Sequence, residues 1–168
     1  FNDVLTDIHN KLIYRHPHVF GDKKAANSEE ALKTWEEQKA NDEKHQAHNS
    51  ILDDLPFALP ALTRAYKLQK RCAKVGFDWD NPQSVFHKVE EELQEVWNEM
   101  VQSPVQAEKL EEELGDLLFV STNLCRHYGI DAESCLRKAN AKFERRFRGV
   151  EQLVKSQQKQ VSDCSLNE

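Results

Sequence analysis

A short pattern that occurs twice between Lys88 and Asp116 constrains what this chain can fold into. It reads Lys88-x-x-x-Glu92-x-x-Glu95 and returns 21 residues later as Lys109-x-x-x-Glu113-x-x-Asp116. The apolar neighbours keep the same offset, with Val89, Leu93, Val96 and Trp97 matching Leu110, Leu114, Leu117 and Leu118. Residues three and four apart share a helix face, so each segment is a helix with a Lys–acid–acid stripe beside an apolar stripe. Between them stands Ser103-Pro104, a connection short enough to fold the two helices into an antiparallel pair. With each acid stripe one position before its apolar stripe, both stripes emerge on the same side. Glu92, Glu95, Glu113 and Asp116 then converge from two helices.

The rest of the sequence suits an all-α helical bundle. Of 168 residues, 31% are charged and 39% hydrophobic, with only five Gly and five Pro. That is the balance of amphipathic helices, not of a sheet or a disordered chain. The formal net charge of −6 argues against nucleic acid as a partner. No apolar run approaches the roughly 18 residues of a membrane span, and no signal-peptide pattern opens the chain. Cys72, Cys125, Cys135 and Cys164 show neither C-x-x-C pairing nor zinc-finger spacing, so idle reduced thiols in a cytoplasmic protein are expected.

Residues 2–15 read as a helix stopped by His16-Pro17-His18, a helix-ending loop in preference to a metal site. Asn27 with Glu30 forms a capping box for a mostly polar helix to about residue 50, part of a connector over residues 21–59. A helix from Pro60 to about Val75 follows, with Leu62, Ala65, Tyr66, Leu68, Gln69, Cys72 and Ala73 as its packing face; Gly76 ends it. Asn81-Pro82 starts the first acidic helix, over residues 82–102. The second is expected over residues 104–128, with Ser103-Pro104-Val105-Gln106 as its capping box. Gly129 closes it, and Asp131 caps a long last helix to about Lys155. Leu136, Ala139, Phe143, Phe147 and Val150 are placed inward on that helix, while Lys138, Lys142, Arg145, Arg146 and Arg148 make a basic face. Residues 156–168 read as a frayed tail. Lys11-x-x-x-Arg15 resembles Lys142-x-x-x-Arg146, with Leu5, Leu12 and Val19 aligned on Leu136, Phe143 and Val150. Residues 1–20 are therefore read as the last helix of an upstream copy of the module at 60–155.

Mg²⁺ takes hard oxygen ligands and is held by a few carboxylates plus substrate phosphates, so the four acids form a candidate Mg²⁺ site. A di-iron centre needs Glu-x-x-His twice, whereas Glu95 and Asp116 occupy the i+3 positions here. Lys88, Lys109, Lys142, Arg145 and Arg146 supply the cations for holding phosphates beside the metal, the parts required to attack a phosphoric anhydride. Glu91, next to Glu92, is a base or outer ligand. No Gly-x-x-x-x-Gly-Lys loop and no Ser/His/Asp or Cys/His pair competes with this reading.

Glu91-Glu92-x-x-Glu95 followed by Glu113-x-x-Asp116 resembles the signature of the MazG family of all-α nucleoside triphosphate pyrophosphohydrolases. The likeness covers about residues 60–150, including Lys-Arg-Cys-Ala-Lys-Val-Gly-Phe-Asp-Trp at 70–79 and Lys-Phe-Glu-Arg-Arg-Phe at 142–147. These flanking words are similar to the C-terminal module of two-module bacterial members. The resemblance implies hydrolysis of a nucleoside triphosphate to the monophosphate and pyrophosphate, with Mg²⁺ on Glu92, Glu95, Glu113 and Asp116. It implies substrate contacts from Lys88, Glu91, Lys109, Lys142 and Arg146, with Glu91, Lys142 and Arg146 closest to the chemistry. It also implies a bundle completed by forming a homodimer. The alternatives are a non-catalytic dimerisation module and a base-selective relative of the dUTPase or phosphoribosyl-ATP pyrophosphohydrolase type.

Overall fold

The computed structural model describes residues 1–22, 25–40 and 50–165. The chain divides into two compact units, Phe1–Asp54 and Leu55–Glu168. Among the described residues every regular element is helical, as the composition requires.

The first unit holds α1 (Asn2–Arg15), α2 (Pro17–Phe20) and α3 (Ser28–Ala40). The His16-Pro17-His18 stretch is not a plain loop. Pro17 occupies the first position of the one-turn helix α2, where its missing N–H costs nothing. The His16 carbonyl accepts from Val19 and Phe20 at 2.9 and 3.0 Å. Asn27 caps α3 by accepting from the Glu30 N–H at 2.8 Å, while Glu30 reaches back to the Ala26 N–H at 2.7 Å, one residue earlier than a regular capping box would place it. The expected continuation of this helix towards residue 50 falls largely on residues 41–49, outside the described residues.

The second unit holds α4 (Ala61–Lys74), α5 (Pro82–Met100), α6 (Ala107–His127), α7 (Ala132–Ser156) and a 3₁₀ turn at Val161–Asp163. Two glycines set its corners. Gly76 at φ +83° and Gly129 at φ +65° end α4 and α6, each with the paired backbone bonds of a left-handed helix stop. Asn81 caps α5 through the Ser84 N–H at 2.8 Å, and Asp131 caps α7 through the Ser134 N–H at 2.7 Å.

The antiparallel hairpin α5–α6 is the most closely packed pair of the unit, and α4 lies along α6. Val85 and Val96 from α5 and Val120 from α6 are buried, with Thr122 and Asn123 beside them. Thr122 returns its hydroxyl to the Leu118 carbonyl at 2.9 Å, and Gln69 of α4 donates its amide to the Phe119 carbonyl at 2.7 Å.

Several expectations need correction. The second acidic helix begins at Ala107, not at residue 104, and Gln106 caps it without any side-chain bond. Residues 101–106 are spent reversing the chain, so Ser103 is in the turn and cannot serve a helix N-terminus. The C-terminal segment is not simply frayed. Gln160 and Asp163 form a reciprocal cap on the 3₁₀ turn, which folds back on α7. The largest difference concerns the apolar stripes. Leu93, Trp97, Leu114 and Leu118 lie largely at the surface, and so do Leu136, Phe143, Phe147 and Val150 of α7, with Phe143 68% exposed. Helix α7 touches α4 and α6 but does not approach α5, so among the described residues no helix of this unit covers these faces. Glu92 and Val96 are buried because they face the α5–α6 seam, one or two positions away from the exposed stripe.

Candidate active site

Glu92 and Glu95 on α5 and Glu113 on α6 each present a carboxylate oxygen within 4.8 Å of the other two. The geometry follows from the repeat: residues three apart on α5 stack on one face, and the antiparallel hairpin brings the matching turn of α6 opposite them. Glu92 is 5% exposed and takes the Lys88 ammonium at 2.9 Å, one turn earlier on the same helix. The same ammonium reaches Glu91 at 2.8 Å. These bonds, to Glu91 first and then to Glu92, raise the Lys88 pKa well above its ordinary value and keep it charged.

The trio is overloaded with negative charge. Glu95 is raised above its ordinary 4.5, chiefly because it shares a hydrogen bond with Glu92. Glu113 is raised as well, by desolvation first and then by the charges of Asp116, Glu92, Glu112 and Glu99. Three carboxylates offering only oxygen, two of them resisting ionisation, are what a hard divalent cation relieves. The donor set therefore fits Mg²⁺. Asp116 stands one turn beyond Glu113 on α6, near enough to shift it but outside the converging trio.

The cations divide into two groups. Lys88 is at the acids, paired with both Glu91 and Glu92. Lys109 lies one turn before Glu113 on its stripe and makes no ion pair among the described residues. Lys142, Arg145 and Arg146 are exposed on α7, make no hydrogen bond or ion pair among the described residues, and belong to a helix that does not approach α5. Glu99 was not singled out by sequence reasoning, because the repeat has no counterpart for it. It follows Glu95 by one turn on the same stripe, and its Oε2 is buried without a hydrogen-bond partner.

The loop between α4 and α5 is tied to the far end of α6. The Asp78 carboxylate accepts from the Arg126 guanidinium and from His127 Nε2, the latter at 3.1 Å. Arg126 is itself aligned by Asn123 Oδ1 at 2.8 Å. Partial burial works against the Asp78 carboxylate, but these partners outweigh it and hold its pKa below the ordinary value. A separate open hollow of about 210 Å³, lined by Pro82, Gln83, Phe86, His87, Leu124 and Tyr128, contains none of the converging acids.

This fold and this site define a class: an all-α protein whose helix hairpin displays carboxylates suited to a divalent cation. Residues 80–150 match the family model described as the MazG nucleotide pyrophosphohydrolase domain. The chain is 52% identical over 166 residues to a nucleoside triphosphate pyrophosphohydrolase of Escherichia coli K12, covering 99% of this chain and 63% of that protein. It is 42% identical over 152 residues to the nucleoside triphosphate pyrophosphohydrolase/pyrophosphatase MazG of Thermotoga maritima, covering 90% of this chain and 56% of that protein. Residues 80–150 form a domain of the MazG family, and the chain spans 63% and 56% of the length of these two relatives.

Proposed function

We propose that this protein hydrolyses nucleoside triphosphates to nucleoside monophosphates and pyrophosphate, with Mg²⁺ held by Glu92, Glu95, Glu113 and Asp116. The observation that carries this reading is the convergence of Glu92, Glu95 and Glu113 across the hairpin. The relatives named as nucleoside triphosphate pyrophosphohydrolases supply the substrate class. When bound, Mg²⁺ supplies charge neutralisation on the phosphates and lowers the pKa of a coordinated water.

The chain's own residues do the rest. Lys88 neutralises Glu92 and fixes the rotamer of Glu91, whose exposed carboxylate accepts the proton of the attacking water. Lys109 adds positive charge at the other end of the α6 stripe. Lys142, Arg145 and Arg146 hold the departing pyrophosphate, Arg bidentately and Lys as a point charge. Because α7 stays clear of α5 within one chain, these three groups are supplied by the α7 of a second copy. The exposed Leu93, Trp97, Leu114, Leu118, Phe143 and Phe147 provide the apolar area for that homodimer.

Residues 1–20 serve, in the same reading, as the last helix of an upstream module, on the strength of the Lys11/Arg15 pattern. The protein works in the cytoplasm, where its four free cysteines stay reduced. Among the described residues no helix is long and apolar enough to cross a membrane. The test of the metal assignment is turnover of ATP and dUTP with Mg²⁺ and with EDTA, in the wild type and in Glu113→Ala. Hydrolysis that needs Mg²⁺ and is lost in the variant, with helical content retained, supports the site. Near-normal turnover by Glu113→Ala at low Mg²⁺ rules it out.

A further inference from the structure

The acid stripe has two ends; towards the hairpin turn the exposed aromatic is Trp97 of the apolar helix face, whereas the other end offers a loop surface for a nucleobase. At the hairpin turn, Val101 to Gln106 contain no aromatic residue, and Glu99 and Glu112 add negative charge beside Glu113. At the other end stand Lys88 and then the α4–α5 loop. There Phe77 and Trp79 flank Asp78 and are 78% and 40% exposed, although both are large apolar side chains on an ordered loop. Gly76 at φ +83° turns the chain into this loop, and Asn81 closes it by capping α5.

The latch explains why the loop holds its shape. Asp78 is fixed by Arg126 and His127, whose side chains are only 12% and 11% exposed, and its carboxylate also accepts the Trp79 N–H at 2.9 Å. A half-buried carboxylate with three donors, one of them braced by the buried Asn123, is a costly network to assemble merely to join two helices. Its geometric effect is to set the indole's backbone at the end of α5. Asn81 precedes Glu92 by 11 residues, about 16 Å of helix axis, which is within reach of the base of an extended triphosphate whose phosphates lie at the acids.

We propose that the Phe77–Trp79 loop is the nucleobase platform, with Trp79 as the stacking face and Asp78, latched to Arg126 and His127, as the residue that positions it. This deepens the proposed function and rests on it for the location of the phosphates. Stacking on an aromatic face accepts any base, since every base has a π-face. A platform of this kind therefore gives affinity for nucleotides over bare polyphosphate without selecting one base.

Binding separates this inference from the question of which bond is cleaved. Calorimetry with Mg²⁺ compares an α,β-methylene nucleoside triphosphate with inorganic tripolyphosphate, in wild type, Trp79→Ala, Trp79→Phe and Asp78→Asn. Trp79→Ala is expected to weaken the nucleotide analogue about tenfold or more and to leave tripolyphosphate unchanged. Trp79→Phe should restore most of the loss, and Asp78→Asn should show the same selectivity in smaller measure. Equal affinity of wild type and Trp79→Ala for the analogue overturns the platform while leaving hydrolysis intact. Equal loss on both ligands, or a change in assembly mass in Trp79→Ala, overturns it in favour of a structural role. Failure of the wild type to bind either ligand overturns the platform and the proposed function together.

Discussion

Replacing Lys88 by Met keeps the aliphatic stem and removes one charge from the centre of the acid cluster, so its cost can be worked from two contacts. The bond to Glu91 is to a carboxylate 59% exposed, and such a surface pair contributes about 0–0.5 kcal/mol after screening. The bond to Glu92 is different, because that carboxylate is only 6% exposed and has Glu95 and Glu113 as its other neighbours. Charge-assisted bonds contribute about 1.5–3 kcal/mol, and with the ammonium itself 30% exposed the lower part of that range applies. The expected loss in metal-free protein is about 1.5–2 kcal/mol, or a fall in Tm of roughly 3–8 °C for a chain of this size. Saturating Mg²⁺ supplies the missing positive charge, so the loss should shrink by about half or more by linkage. Thermal melts of both proteins with EDTA and with Mg²⁺ measure this directly. Identical melting in EDTA, or a larger deficit with Mg²⁺ than without it, would refute the claim that Lys88 stands in for cation charge at Glu92.

Three further outcomes follow from the same charges. Glu95 and Glu113 have folded pKa values above their ordinary 4.5, so the folded state binds more protons than the unfolded one over the interval above that value. These two groups therefore make metal-free protein less stable as pH rises from about 4.5 through their raised folded pKa values, and urea midpoints with EDTA should show a decline that Mg²⁺ reduces. Arg146→Lys keeps a positive charge but loses the bidentate grip, so kcat should fall by more than KM rises, read from steady-state kinetics. Light scattering at micromolar concentration should give at least about twice the 19.5 kDa of one chain, and a fully active monomer would exclude completion of the site by a second α7.

Much of this fold is local and was legible in the sequence. The 3.6-residue periodicity, the caps at Asn27, Asn81 and Asp131, and the stops at Gly76 and Gly129 act within a turn or two of chain. Their signals survive without knowledge of what packs where. The start of α6 was misread because Ser103-Pro104-Val105-Gln106 has the composition of a cap, yet the hairpin needs those residues to reverse direction. The exposed face of α7 was expected inward because apolar periodicity reports that a face needs covering, not whether this chain covers it. At the site, the paired acids were legible because matched spacing on two helices forces convergence. Glu99 was not, since it lies outside the repeat, and neither was the Asp78 latch, whose partners are 48 and 49 residues away in sequence.

The central claim is that the carboxylate hairpin directs attack so that pyrophosphate leaves. It is tested most directly by identifying the products formed from ATP by the wild-type protein with Mg²⁺, using ion-exchange separation or ³¹P spectroscopy. AMP and pyrophosphate are expected in equal amounts, with no product formed in EDTA. ADP and orthophosphate instead would contradict it, whatever the metal dependence.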